Sequence, residues 1–501
     1  MAKPPPTLVK PTLDKDLDKI AYAEAAAQQV WRGALPVGIG LVFLILATLF
    51  ASFYVSNQPG AIVIITAAAV GAYMAMNIGA NDVTNNVGAA VGARAISMPG
   101  ALMLAAVFEI AGALIAGGDV IDTISEGILD PDIVSHPQVF SLAMMAALLA
   151  SSLWLNFATW TNSPVSTTHS IVGAVMGAGI AAAGLSSVNW SIMASITASW
   201  MLSPLLGGAI AALILYFIKD FIVYRPDKIV AARRWLPVLI AVMAGAFTSY
   251  LTMKGIGQVF EVGMTTAMLS GLGVGLLTWI GSVPLIRRQS EGLENRNQSL
   301  RKLFRLPLVF SAALLSFAHG ANDVANAIGP LAAIVQAARA ETVGTVVAAP
   351  TWVTIIGALG ISAGLLLFGP KLIRLVGSQI TKLNPMRAFS VALSAAVTVI
   401  IASWFGLPVS STHIAVGAVF GVGFFREWYT RNSKRRIAYM RMKADHWQIE
   451  DTRDRNPDEM RRRYLVRRSH FMTIIAAWII TVPASAALAA FLYWAMYLLF
   501  L

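Results

Sequence analysis

The sequence predicts an all-α polytopic membrane protein, with two inverted-topology repeats of about five helical elements each and discontinuous or re-entrant helices at the midplane. Three observations carry that expectation. The 501-residue chain is 57% hydrophobic and only 12% charged, with a mean hydropathy of +0.69, whereas soluble chains carry about a quarter of their residues charged. Apolar runs long enough to cross a hydrocarbon core, roughly 20 residues each, recur about 12–13 times. Two pairs of polar motifs also recur in the same order, 241 and 244 residues apart. The short alternating segments of a β-barrel are absent, and 40 glycines suit close helix packing in lipid.

In chain order, residues 1–33 form a polar lead with three prolines at 4–6, and 34–56 an extra N-terminal span. That run follows a long polar segment and exceeds the usual length of a signal-peptide core, so it is expected to be retained. The first repeat covers 61–218, with elements near 61–79, 100–118, 139–160, 166–183 and 191–218. A connecting region, 219–305, holds two spans near 236–253 and 264–286. The second repeat covers 306–501, with elements near 306–331, 352–369, 386–406, 411–425 and 471–500 and a basic insertion at 426–470. The elements at 166–183 and 411–425 each follow a Pro-bearing break, and loop charges fit either full spans or halves of re-entrant hairpins.

The net charge of +12 comes from a few inter-span segments, notably 426–470 with its RNSKRR and RRRYLVRR. This is the pattern of cytoplasmic loops rather than of nucleic-acid binding. The loop at 119–138 carries Asp119, Asp122, Glu126, Asp130 and Asp132 without Lys or Arg, while 219–235, 287–305 and 426–470 are basic. Placing the basic loops inside puts the N-terminus in and the C-terminus out, in a multi-pass protein of the cell (inner or plasma) membrane. With no cysteine, disulfides and thiolate metal sites are excluded.

The motifs define the repeats. GANDVTNNVG at 79–88 and GANDVANAIG at 320–329 agree at seven of ten positions, and PVSTTHSIVGAVMGAG at 164–179 and PVSSTHIAVGAVFGVG at 408–423 at eleven of sixteen. On the charge-derived map the spans before the two GAND copies run in opposite directions. Inverted repeats of this kind place a transporter's site near the midplane.

A carboxylate within the membrane must face a cavity, a partner or an ion, which makes Asp82 and Asp323 candidate cation ligands. Flanking glycines weaken the helix, and local unwinding there is expected to free carbonyls for coordination. Asn81, Asn85, Asn322 and Asn326 add oxygen ligands and N–H donors. In the second motif Ser or Thr caps a helix start whose free amides and dipole attract an anion. The hydroxyls of Ser166, Thr167, Thr168, Ser410, Ser411 and Thr412 supply further donors. Two facing copies would enclose a small tetrahedral oxyanion. His169, His319 and His413 fit proton tuning and a structural role equally, and Glu109 is an intramembrane acid with no basic partner nearby in sequence. Apart from Arg94, downstream of the first, no Lys or Arg lies within the four motifs. An anion beside two aspartates would be repelled unless cations travel with it, which argues for cation–anion symport.

On GANDVTNNVG, FAHGANDVANAIGPLAAI, PVSTTH and PVSSTH the chain resembles the inorganic phosphate transporter (PiT) family from roughly 61 to 500. The resemblance implies a secondary transporter, not an enzyme, importing phosphate with sodium or a proton. It implies two motif pairs around phosphate and its cations, and no cofactor beyond the transported cation. Two departures stand out: Thr84 and Asn86 where the family commonly has DVANA, and Ala392 where its second repeat often has a glutamate. The loss of that acid leaves the number and identity of cations open. Alternatives are a sulfate transporter of the same fold, a passive channel and an intramembrane aspartyl protease; the last would need two carboxylates sharing a proton but has no use for the repeated asparagines and hydroxyls. The expected partners are phosphate, sodium or a proton, and the bilayer. A homodimer is an expectation that the sequence leaves open.

Overall fold

The structure, a computed structural model, describes residues 34–130, 136–161, 165–255, 260, 262–339, 349–379, 383–444 and 468–500. The lead at 1–33, Pro164 of the first hydroxyl motif and residues 445–467 of the basic insertion lie outside the described residues.

The main helices are α1 (Ala34–Val55), α2 (Ala61–Gly92), α3 (Met98–Ala116), α4 (Pro137–Trp160), α5 (Thr167–Ala183), α6 (Trp190–Ile218) and α7 (Lys228–Lys254). They continue with α8 (Met264–Ser290), α9 (Arg305–Asp323), α10 (Ala325–Arg339), α11 (Thr351–Gln379), α12 (Pro385–Trp404), α13 (Ser411–Asn432) and α14 (Arg468–Phe500). Among the described residues eleven helices are long and apolar enough to cross a membrane, α9 and α10 counting as one run, and α5 is a shorter apolar helix. Local signals set several starts: Ser97, Asn189 and Asn384 each accept a backbone N–H as N-cap of α3, α6 and α12.

Burial is inverted relative to a soluble protein. The run through α9 and α10 is the most buried of the eleven, at 89%, yet has the lowest hydropathy, 1.2. By contrast α1 and α8 lie at the periphery, only 17% buried, with Phe53, Leu272 and Leu277 exposed. Such faces are untenable in water and ordinary in lipid, where polar groups collect inside.

The elements carrying the duplicated motifs pair crosswise. The first GAND helix, α2, packs along α11, and the second, α9, along α3. These pairs approach so closely that a side chain on Gly79 would run into the backbone of Ile361, and one on Gly320 into the backbone of Glu109. Likewise α5 packs on α14 and α13 on α6, with Gly177 against Ala486 and Gly417 against Pro204. Small residues permit these backbone approaches, and dispersion between tightly fitted helices replaces the hydrophobic effect that lipid cannot supply.

The hydroxyl motifs sit at the tips of two hairpins. Beyond α5, Asp130 N–H donates to the Ser187 carbonyl at 2.8 Å and Asn189 N–H to Ile128 at 2.9 Å. The chain thus returns to the segment from which α4 set out, making α4–α5 a hairpin. At the far end of α13, Tyr429 hydroxyl donates to Asp220 at 3.3 Å and Arg435 pairs with Asp220, while the start of α12 places Phe389 on Phe304. So α12–α13 opens on the end that holds the basic connections. The 29 residues of α6, about 43 Å of helix, separate the two open ends, and the tips meet between them.

One expectation is corrected. The GAND copies do not unwind alike: α2 is helical through the whole of Gly79–Gly88, and the second copy is interrupted only at Val324, between α9 and α10. Asn81, Asp82, Asn85 and Asn86 are spaced so that an intact helix already delivers them to one wall, and side-chain oxygens stand where opened backbone carbonyls were expected.

Candidate functional site

Both hairpin tips and both GAND motifs converge in one buried cluster. Asp82, 0% exposed, accepts at Oδ1 from Asn81 (2.9 Å), Asn85 (3.3 Å) and Thr412 (3.1 Å), and at Oδ2 from Thr167 (3.1 Å). Asp323, equally buried, accepts from Ser411 at 3.1 Å. Each aspartate therefore takes a hydroxyl from the equivalent position of a hairpin. Cross-links tie the halves: Asn85 donates to Thr412 at 2.8 Å and Asn326 to Thr168 at 3.1 Å, while Thr168 donates to the Val409 carbonyl at 2.9 Å.

The six motif hydroxyls divide by role. Ser166 and Ser410 are N-caps of α5 and α13, accepting from the His169 and His413 amides at 3.2 and 3.3 Å. Thr167, Thr168, Ser411 and Thr412 point into the polar cluster. The asparagines divide too. Asn81 donates to the Val165 carbonyl at 3.0 Å, and Asn322 holds Leu407 and the Val409 amide, both at 3.1 Å. These two latch the GAND helices to the backbone of the tips, while Asn85 and Asn326 reach across.

An asymmetric group breaks the pattern. His319 Nε2 lies 3.0 Å from Asp323 and 3.7 Å from Asp82, and its Nδ1 lies 3.3 Å from Glu109. Glu109 also accepts from Asn86 at 2.6 Å. At the corresponding places stand Ile78, Ile361 and Ala327, so these three polar residues have no polar counterpart. The acid without a sequence-local partner thus has a long-range one. Asn86, noted in the sequence only for its added polarity, is part of the connection. Asp82, His319 and Asp323 bring ligand atoms within 4.8 Å of one another, close enough to share a cation.

The histidines of the hairpins are placed differently. The His169 ring lies 3.9 Å from Trp200 and 4.5 Å from His413, and neither His169 nitrogen has a hydrogen-bond partner among the described residues. Trp200 donates to the Pro408 carbonyl at 3.0 Å, packing α6 against the opposite tip. Sequence reasoning missed that contact, because only the tertiary packing of α6 brings Trp200 to the opposite tip.

Four buried oxygens in this region, Asn86 Oδ1, Glu109 Oε2, Asp323 Oδ1 and Asn326 Oδ1, have no donor among the described residues. A buried acceptor left without a partner costs about 1–3 kcal/mol, and all four are hard oxygen ligands of the kind that alkali cations and acidic protons satisfy. Beside them the starts of α5 and α13 present positive dipole ends. Acceptors for cations and donors for an anion thus share one interior volume.

A many-spanning helical bundle with carboxylates and hydroxyls clustered at its buried centre fits a membrane transport protein in class. The chain belongs to the phosphate transporter family, whose family model matches residues 78–489. A Helicobacter pylori (strain J99) protein named "Putative phosphate permease" is 43% identical, the alignment covering 96% of this chain and 98% of that one. A Pyrococcus abyssi protein of like name is 40% identical over 71% of this chain and 87% of its own. Among solved structures, one described as "The sodium-dependent phosphate transporter" matches with a TM-score of 0.76 and 33% identity, over 87% of this chain and 99% of the other.

Proposed function

We propose that this protein imports inorganic phosphate across the cytoplasmic membrane in symport with a cation. The observation that carries the reading is the convergence of two anion-attracting helix starts on two buried aspartates, with unpartnered oxygens and no Lys or Arg among them. In this reading Thr167, Thr168, Ser411, Thr412 and the tip amides bind phosphate. Ser166 and Ser410 hold those amides in place, Asn85 and Asn326 complete the ring, and Asn81 and Asn322 fix the tips. Asp82 and Asp323 hold the coupling cation. The halves 61–218 and 306–501 act as inverted repeats that alternate access to the site.

Two observations bear on the cation. The likeness to a sodium-dependent phosphate transporter favours sodium. The contacts of His319 with three carboxylates favour a proton, because an imidazolium there would itself occupy the place of a cation. Radiolabelled phosphate uptake into proteoliposomes, under imposed sodium or proton gradients, tests both. Accumulation driven by one gradient and abolished by its collapse is expected, with excess sulfate failing to compete. Uptake indifferent to both gradients would identify a passive channel, and preferential sulfate uptake would replace the substrate.

A further inference from the structure

Away from the central cluster, a cavity of about 510 Å³ opens where α2 ends and α9 and α12 begin. Its lining includes Arg94, Arg301, Lys302, Arg305 and Arg387, together with Asn384, and among the described residues no acidic one. None of the five cations forms a salt bridge among the described residues. They come from three elements far apart in sequence: the turn after α2, the short helix Asn297–Leu303 with the start of α9, and the first turn of α12. Positive-inside charge accounts for basic residues along a loop; it does not account for three elements converging on one hollow.

Arg94 adds an independent sign. With φ 55°, it is the only non-glycine among the described residues in the left-handed region, at a helix end where glycine is usual. Its backbone is fixed there by its own N–H to Val91 at 2.9 Å and by the Ala95 N–H to Ala90 at 2.9 Å. An arginine thus stands where its backbone is disfavoured, and it lines the basin. The start of α12, capped by Asn384, contributes a positive dipole end.

We propose that this basin binds a polyanion carrying at least two phosphate groups. One orthophosphate would neutralise at most two of five cations and fill little of the cavity, whereas volumes of this size suit ligands of several groups. Guanidinium groups match phosphate oxygens in fork geometry. The same chemistry is supplied by a diphosphorylated lipid head group or by a soluble oligophosphate. The bound anion would bridge the first GAND helix, the start of the second and the base of the α12–α13 hairpin.

The test uses the full-length protein in nanodiscs of neutral lipid, titrated calorimetrically with inorganic tripolyphosphate. Saturable binding that weakens with salt is expected. Both the triple variant R301Q/K302Q/R305Q and Arg94→Gly should bind at least about tenfold more weakly. Since glycine relieves the left-handed backbone, the Arg94→Gly protein should keep or raise its melting temperature, which separates lost binding from misfolding. R287Q/R288Q, exposed cations at the end of α8, should leave binding unchanged. If diphosphatidylglycerol in the disc blocks tripolyphosphate, the head group is the resident ligand; if it does not, the ligand is the soluble anion. Absence of saturable binding, unchanged binding in both basin variants, or an equal loss in R287Q/R288Q would overturn the proposal. None of these outcomes depends on transport, so they stand apart from the fate of the symport reading.

Discussion

Around Asp82, Asn81, Asn85, Thr167 and Thr412 all donate to one carboxylate, while Asp323 receives Ser411 and faces His319. A carboxylate with that many donors is held in one orientation, and the acceptor capacity left over suits a cation. Asp82→Asn or Asp323→Asn keeps the volume and removes the charge. Each is predicted to abolish gradient-driven phosphate uptake at normal membrane abundance, and near-normal uptake in both would remove the aspartates from coupling. The hydroxyls separate in the same way. In the symport reading the hydroxyls of Thr167, Thr168, Ser411 and Thr412 turn from the aspartates and the Val409 carbonyl to the bound anion, so Ala at each loses a donor to a charged acceptor, worth about 1.5–3 kcal/mol. Apparent phosphate affinity should fall roughly 10- to 150-fold. Ser166→Ala and Ser410→Ala lose a cap, about 1 kcal/mol of local stability, so their uptake should fall only as far as abundance falls. Phosphate concentration dependence, normalised to inserted protein, distinguishes the two sets. The sequence named all six hydroxyls but could not divide them, because the first Ser of each motif looks chemically like its neighbours until the tip geometry turns it toward its own helix. Glu109 looked partnerless for a similar reason: His319, on α9, is brought to it only by the close packing of α9 on α3.

At the scale of elements, crosswise pairing makes each half complete the other. Gly320 of α9 rests on the backbone of Glu109 in α3, as Gly79 of α2 rests on Ile361 in α11. Seating Glu109 against His319 depends on that approach. Gly320→Ala would force the helices apart, and overpacking of this sort costs about 1–3 kcal/mol. A lower melting temperature and reduced uptake are expected together. Gly273→Ala meets nothing within 4 Å and replaces a poor helix former with a good one, so it should hold or gain stability. Equal melting temperatures for the two variants would contradict the packing argument. The spans were legible from apolar length, and the duplication of the motifs from their order. The hairpins were not, since a hairpin and a full span leave the same loop charges. The closure of α4–α5 rests on Asp130 and Asn189 meeting Ser187 and Ile128, and that of α12–α13 on contacts of Tyr429, Arg435 and Phe389, none of which periodicity reports. Nor was the continuity of α2 legible: glycine weakens a helix on average, but the close packing of α2 on α11 at Gly79 holds this one closed.

Across the whole molecule, polarity runs opposite to that of a soluble domain, and the two hairpins open toward opposite ends. The basic end should face the cytoplasm. The chain lacks cysteine, so single replacements report sidedness directly: Glu294→Cys at the basic end, 68% exposed, and Leu185→Cys at the other, 65% exposed. In intact cells an impermeant maleimide should label the second and spare the first; the reverse pattern would invert the topology.

The central claim is that phosphate and its cation occupy one site, each making the other's binding possible. It is tested most directly by phosphate binding to purified protein over a series of sodium concentrations and pH values, alongside Asp82→Asn and Asp323→Asn. Linkage requires that a cation sharing the site strengthen phosphate binding, and phosphate that of the cation, by the same factor. The account predicts that wild-type affinity rises with sodium or with protons beyond any change seen in the variants, and that this dependence disappears in both variants. Wild-type binding that is equally tight without sodium and tracks the variants at every pH would contradict it.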